Sequence, residues 1–312
     1  MTLVQLEYVV AVDTYRNFAA AAEKCFVTQP TLSMQILKLE ESLGTKIFDR
    51  SRQPVVPTEI GILLIAQARV ILGEGKQLKE LIKIFTNELS GELRVGVIPT
   101  VAPYLLPPVI PNFTKNYPKV QLKIWEYTTE QIIQNLKNGL LDCGILATPL
   151  DENSLNETPL FYESFVVYVS ASSSLNSMNE INYKDINFDE LWLLNEGHCM
   201  RNQVLNICRK QKAGDNSKPF EYNTGSVETL KRMVDLNNGV TILPQLSLKE
   251  LSPEQIKRVR NFTSPIPVRE ISIVTHRNFL KRSVIKAFEK EILYTIPPDM
   301  LQKNSKEVLE TH

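Results

Sequence analysis

The chain has 312 residues, 43% of them hydrophobic and 22% charged, with 35 Lys/Arg balanced by 35 Asp/Glu and four cysteines in all. This is the composition of an ordinary globular protein of about two domains; four cysteines in so long a chain exclude a disulfide scaffold. Zero net charge, and ten basic against ten acidic residues in the first ninety, mean that any contact with nucleic acid rests on local placement of charge. No cationic leader opens the chain and no apolar run approaches the ~18 residues of a membrane span, so the expectation is a soluble, cytoplasmic protein with no membrane partner.

The first predicted helix runs from Leu3 to Tyr15, with Leu6, Val9, Val10 and Val12 inward. A short one follows in Phe18–Cys25, and after a tight break at Phe26-Val27 a third opens at Thr28-Gln29-Pro30. Thr28 suits an N-cap, and Pro30 suits a first turn that has no helical partner for its missing N–H. Leu32, Ile36, Leu39 and Leu43 are its inward positions, and Gly44 stops it. Ile47 to Thr58, broken by Pro54 and Pro57, reads as a short hairpin. From Thr58 to about Leu89 one long helical pattern continues through Gly73 and Gly75, a length that links domains or pairs with a partner helix.

Beyond Gly91 strands and helices alternate. Strands are expected at 93–98, 120–125, 143–147, 165–169, 191–194, 240–243 and 270–274, and helices at 105–117, 130–138, 200–211, 226–237 and 280–294. Such alternation argues for α/β layers with mainly parallel sheets. About 220 residues make two lobes, with a crossover near 161–165 and a return near 267. The polar last residues are expected to fray.

Helices two and three have the spacing of a helix-turn-helix, in which the second helix enters the major groove. Its outward residues Thr28, Gln29, Pro30, Thr31, Ser33 and Gln35 offer hydroxyls and amides to base edges and phosphates, and Lys38, Arg50 and Arg52 are placed to neutralise phosphates. On spacing alone an ordinary helical hairpin is an equal reading. The pattern Phe18-Ala-Ala-Ala-Ala-Glu23, Val27-Thr-Gln-Pro-Thr-Leu-Ser33, Ile36, Leu39-Glu40, Leu43-Gly44, Phe48-Asp-Arg50, Thr58 and Gly61 closely resembles the winged helix-turn-helix of LysR-type transcriptional regulators. The resemblance implies a DNA-binding domain (1–58), a linker helix that dimerises (59–90), and an α/β regulatory domain of two lobes resembling periplasmic binding proteins (91–302). Lobe I would be about 91–161 and 268–302, lobe II about 162–267, and 303–312 a flexible tail. It further implies double-stranded promoter DNA, RNA polymerase and a homodimer or homotetramer.

Cys25 and Cys143 lie in apolar settings and read as small core residues. Cys199 and Cys208 differ. As one helix, the nine steps between them place the thiols about 13.5 Å apart along the axis and on opposite sides, whereas a disulfide needs Cα atoms ~4.4–6.8 Å apart. Bonding the two therefore requires the segment to unwind. Cys208 shares an apolar stripe with Val204, Leu205 and Ile207, and Cys199 lies in a first turn beside His198 and Arg201, a setting that favours thiolate.

The segments 197–203 with Cys208, 98–107, 141–143 and 240–244 are similar to the hydrogen-peroxide-sensing members of the family. That resemblance implies Cys199 as the oxidised thiol and Cys208 as its disulfide partner. Thr100, Thr129, His198 and Arg269 would surround Cys199, with Arg201 and Gln203 in support, and a glutaredoxin- or thioredoxin-type reductant would reset the pair. It implies no cofactor, no metal and no enzymatic turnover. Asn202 stands where that pattern has an aspartate, which removes a negative charge beside the cysteine. A regulator answering a small metabolite bound between the lobes is the alternative. A thiol peroxidase finds no supporting motif, and a metal sensor built on His198, Cys199 and Cys208 has poor ligand spacing.

Overall fold

A computed structural model describes residues 1–85, 89–194, 199–208, 225–277, 279, 281–302 and 307–309. They form two compact units, one built on Met1–Glu88 and the other on Leu89–Arg277 with Lys281–His312.

In the first unit, α1 (Leu3–Tyr15) starts at a capping box in which Thr2 and Gln5 satisfy each other's backbone N–H groups. Asn17 caps α2 (Phe18–Lys24), and Thr28 caps α3 (Gln29–Leu43), which ends at Gly44 with φ +68°. Leu6, Val9, Val12, Ala21, Ala22, Leu32, Ile36 and Leu39 make the shared core. Leu43, expected inward, is exposed, because Gly44 ends the helix before that position meets the other two. Strands β1 (Phe48–Asp49) and β2 (Val56–Pro57) form the expected hairpin. The Thr58 hydroxyl caps α4 (Glu59–Phe85), donating to the Lys46 carbonyl and accepting from Gly61 N–H. A Cβ on Gly61 would sit 2.0 Å from the Ile47 carbonyl oxygen, so only glycine lets α4 start against the hairpin.

The second unit begins with β3 (Gly91–Val97), α5 (Ala102–Asn116), β4 (Val120–Glu126), α6 (Thr129–Lys137) and β5 (Cys143–Thr148). Strand β3 pairs in parallel with both β4 and β5. Pro107, Pro108 and Pro111 fall inside α5 on its outer face, while Leu105, Val109 and Phe113 anchor the inner one. The 15-residue β6 (Leu155–Val169) follows, then β7 (Glu180–Ile181), β8 (Leu191–Trp192), α7 (Cys199–Cys208), α8 (Val227–Leu236), β9 (Val240–Pro244), the single turn α9 (Pro253–Ile256) and β10 (Val259–Phe262). Strand β11 (Pro267–His276) returns to the first sheet, α10 (Arg282–Thr295) packs on α5, and β12 (Glu307–Val308) closes the order.

The sheets are not mainly parallel. The strand order β4-β3-β5-β11-β6-β10-β7 has parallel pairs toward its ends, but β5/β11, β11/β6, β6/β10 and β6/β9 are all antiparallel. The reason is topological. β6 crosses from one lobe to the other and β11 runs back, so the two connecting strands lie side by side in opposite directions. Their ladder ends at Val268↔Ser164, where β6 passes into the second sheet, within the expected crossover. The polar end does not simply fray: Glu307 and Val308 pair in parallel with Pro267 and Val268, and Leu309 N–H donates to the Val268 carbonyl.

Candidate functional site: a buried thiol and a DNA-reading helix

Cys199 is the first residue of α7 and Cys208 the last of its ten. The helical backbone thus holds the two positions a helix length apart. Cys199 is a free, partly buried thiol; the Cys208 side chain and the whole of His198 lie outside the described residues. Two further elements bear on Cys199. Thr129, first residue of α6, places its hydroxyl 2.7 Å from the Cys199 sulfur. Helix α6 seats closely on the sheet because Gly96 and Gly144, paired across β3 and β5, leave room for Ile132; a Cβ on Gly144 would come within 2.4 Å of that side chain. From β11, the Arg269 charge acts on the same thiol. Arg269 Nη1 donates to the Thr100 hydroxyl at 2.8 Å and Nη2 to the Thr100 carbonyl at 3.1 Å. The structure therefore brings Thr129 to Cys199 and joins Thr100 to Arg269, whose charge reaches that thiol, although the four lie at separate points of the sequence.

Arg201 is not part of this group. Its Nη1 donates to the Leu194 carbonyl at 3.0 Å, because two positions along a helix turn a side chain to another face. Gln203 lies four positions from Cys199, on the same face. It is fully buried, its Nε2 is 3.4 Å from the Leu309 carbonyl, and its Oε1 has no hydrogen-bond partner among the described residues. Asn202 is exposed. The inward stripe of α7 is Met200, Gln203 and Val204, whereas Leu205 and Ile207 are only half-buried. Of the expected stripe of Val204, Leu205, Ile207 and Cys208, Val204 is buried, Leu205 and Ile207 are corrected, and the Cys208 side chain lies outside the described residues.

The expected depression of the thiol pKa is also corrected. Burial pushes the Cys199 thiol above its ordinary value, and Glu130 adds to the rise. The Thr129 hydrogen bond and the Arg269 charge pull the other way and do not overcome it. Desolvation outweighs the favourable neighbours because the thiol is partly withdrawn from water rather than presented at an open helix end.

Sequence reasoning missed Glu163. It stands opposite Arg269 in the β6/β11 ladder, and its Oε2 accepts from Arg269 Nε at 2.8 Å with Nη2 at 2.7 Å. Its Oε1 accepts from Leu246 N–H at 2.7 Å. The only signal in the sequence was a carboxylate amid the apolar run after Leu160, which has no local partner.

In the first unit Thr28, Gln29, Pro30, Thr31 and Lys38 are exposed, and Arg52 on the hairpin is 71% exposed beside Asp49. Ser33 and Gln35 are half-buried, Gln35 within 3.3 Å of Gln5 Nε2. Arg50 is also paired within the protein. Its Nη2 lies 3.1 Å from the buried Glu40 carboxylate, its Nη1 donates to Ser33, and its guanidinium covers the Phe18 ring. Arg50 is the nearer of two cations on Glu40 Oε2, with Lys46 Nζ at 4.0 Å, while Oε1 receives the N–H groups of Ile47 and Phe48. Among the described residues no helix is long and apolar enough to cross a membrane, and no cluster of three His, Cys, Asp or Glu can hold a metal.

Comparison with known proteins agrees with both units. Residues 3–62 match the bacterial regulatory helix-turn-helix of the lysR family, and residues 86–295 match the LysR substrate binding domain. The chain is 38% identical over 275 residues to the hydrogen peroxide-inducible genes activator of Haemophilus influenzae, covering 88% of this chain and 90% of that one. It is 38% identical over 248 residues to the DNA-binding transcriptional dual regulator OxyR of Escherichia coli K12, 80% of each. A variant of full-length OxyR from Pseudomonas aeruginosa superposes with a TM-score of 0.77 at 34% identity, over 94% of this chain and 98% of that one. The chain belongs to the LysR family of bacterial DNA-binding transcriptional regulators, which are not enzymes, and is similar to OxyR over most of its length.

Proposed function

We propose that this regulator senses hydrogen peroxide through Cys199 and activates antioxidant genes from promoter DNA. The observation that carries the reading is a free thiol at the start of α7 with the Thr129 hydroxyl on its sulfur and the Arg269 charge nearby. Once deprotonated, the sulfur attacks one peroxide oxygen. The S–O bond forms as the O–O bond breaks, and the departing hydroxide takes a proton to become water. Hydroxyl and guanidinium donors suit both the bound peroxide and the developing negative charge. The sulfenic acid then condenses with the Cys208 thiol, releasing water and forming the disulfide. Because the two residues end one helix, this step unwinds α7 and gives the regulatory domain a second packing.

Residues 1–58 read the DNA, α4 pairs the chains into dimers and tetramers, and RNA polymerase is the downstream partner. A glutaredoxin- or thioredoxin-type dithiol restores the reduced form in the cytoplasm. Non-reducing mass spectrometry of the chain after stoichiometric peroxide tests the reading. Loss of two thiols and a 199–208 cross-linked peptide are expected; retention of all thiols refutes it. A metabolite-answering regulator is a second reading, favoured by a cleft of about 440 Å³ lined by Pro99, Tyr104, Tyr127, Thr128, Ser226 and Glu228. Under that reading peroxide removes no thiol.

A further inference from the structure

We infer that Glu163 is the positioning residue of the peroxide site, holding Arg269 so that the Thr100 hydroxyl donates to the peroxide at Cys199. This rests on the reading of Cys199 as the peroxide-oxidised thiol.

Arg269 and Glu163 face each other across the two connecting strands and are 1% and 0% exposed. The Nε/Nη2 edge of the guanidinium is clamped on Glu163 Oε2. With that edge fixed, Nη1 has one direction left, and it meets the Thr100 oxygen at 2.8 Å. A hydroxyl oxygen that accepts from a cation keeps its own proton to donate, and the bond polarises it as a donor. The second Thr100 contact, from Nη2 to its carbonyl, holds the backbone in place as well. Released from Glu163, the arginine has no described anion to set its plane, and Thr100 loses its orienting partner.

The carboxylate is chemically specific here. Its two oxygens are both acceptors, one for Arg269 and the other for Leu246 N–H at the start of the turn after β9. A glutamine has one acceptor and one donor at these places, so one of the two contacts becomes a clash of donors. Glu163 is also the residue just before Ser164, where β6 leaves the β11 ladder. The same side chain thus ties the peroxide donors to the backbone of the other lobe.

Glu163 does not touch the reacting atoms, so its test must separate positioning from general damage. In the full-length chain carrying Cys208→Ser, which traps the sulfenic acid, the Cys199 peptide is followed by mass spectrometry. One arm measures its oxidation by hydrogen peroxide and the other its alkylation by iodoacetamide, which needs the thiolate but not the donors. Glu163→Gln should lower the ratio of the two rates by about tenfold or more, the scale set by misplaced or lost donors. In the Thr100→Val background, Glu163→Gln should lower the ratio no further, since both act through one hydroxyl. An unchanged ratio, or an additive loss in the double variant, overturns the inference. Should Glu163→Gln fail to fold, Arg269→Lys replaces it: the charge remains but the fork is lost, and a retained ratio overturns the inference equally. If the parent chain itself is not oxidised at Cys199, the peroxide reading fails and this inference fails with it; a reactive parent with an unaffected variant removes Glu163 alone.

Discussion

Val204→Ala is expected to make the Cys199–Cys208 disulfide harder to reduce. Val204 is buried in α7, where it and Met200 line a small void with Trp192, Leu194, Leu230 and Ile242. Truncation removes two methyl groups from this contact, worth about 1.6 kcal/mol at about 0.8 kcal/mol each, with a further amount if the space does not collapse. Alanine's better helix propensity returns about 0.5 kcal/mol. The helical, reduced form is therefore destabilised by roughly 1–2 kcal/mol, while an unwound oxidised form has already lost the contact. For a two-electron couple about 1.4 kcal/mol corresponds to 30 mV, so the midpoint should fall by roughly 20–45 mV. Titration in glutathione buffers with thiol labelling measures it. Val234→Ala, in the buried face of α8, is the control, because it weakens the fold without distinguishing the two states of α7. An unmoved midpoint for Val204→Ala, or an equal shift in the control, would refute the argument that oxidation unwinds the helix.

Thr129→Val removes the hydroxyl on the Cys199 sulfur and should slow peroxide oxidation about ten- to a hundredfold at neutral pH, from the roughly 1.5–3 kcal/mol of a hydrogen bond to a charged group. Stopped-flow oxidation of the reduced chain checks it. Because the Cys199 thiol is held above its ordinary value, that rate should also keep rising with pH through the alkaline range in the parent chain. Asp142 is half-buried, which alone would raise its pKa, but hydrogen bonds and charges from Arg94 and Lys281 outweigh that and hold it low. A lowered carboxylate stabilises the fold above its unfolded value near about pH 4 and loses that contribution as pH falls through the folded value. Asp142→Asn should thus cost roughly 2–3 kcal/mol at pH 7 in denaturant melts, with the gap to the parent closing in acid. On DNA, Lys38→Ala should weaken binding to all sequences and lower the salt slope by about one, read by fluorescence anisotropy against salt. Arg50→Ala should instead lower the melting temperature of the first unit, since it leaves the buried Glu40 carboxylate with only the exposed Lys46 ammonium at 4.0 Å.

Local patterns carried the sequence reading where neighbours in the chain are neighbours in space. Thr28, Pro30 and Gly44 mark the ends of α3, Leu32, Ile36 and Leu39 mark its inner face, and the nine steps from Cys199 to Cys208 place a helix between two thiols. Each of these follows from a period of 3.6 residues or from the geometry of a cap. Other features depend on partners brought from far along the chain, which no period reports. Glu163 finds Arg269 only because β6 and β11 run antiparallel through the hinge. Arg50, read as a phosphate contact, also meets Glu40 once the hairpin folds onto α3. The Cys199 thiol, favoured by its local neighbours, is raised because folding takes it partly out of water and sets Glu130 near it. The chain by itself determined the family, the helix-turn-helix and the helical span that separates Cys199 from Cys208; the tertiary structure decided which charges meet, since burial and cross-strand pairing are set by surfaces that come together only on folding.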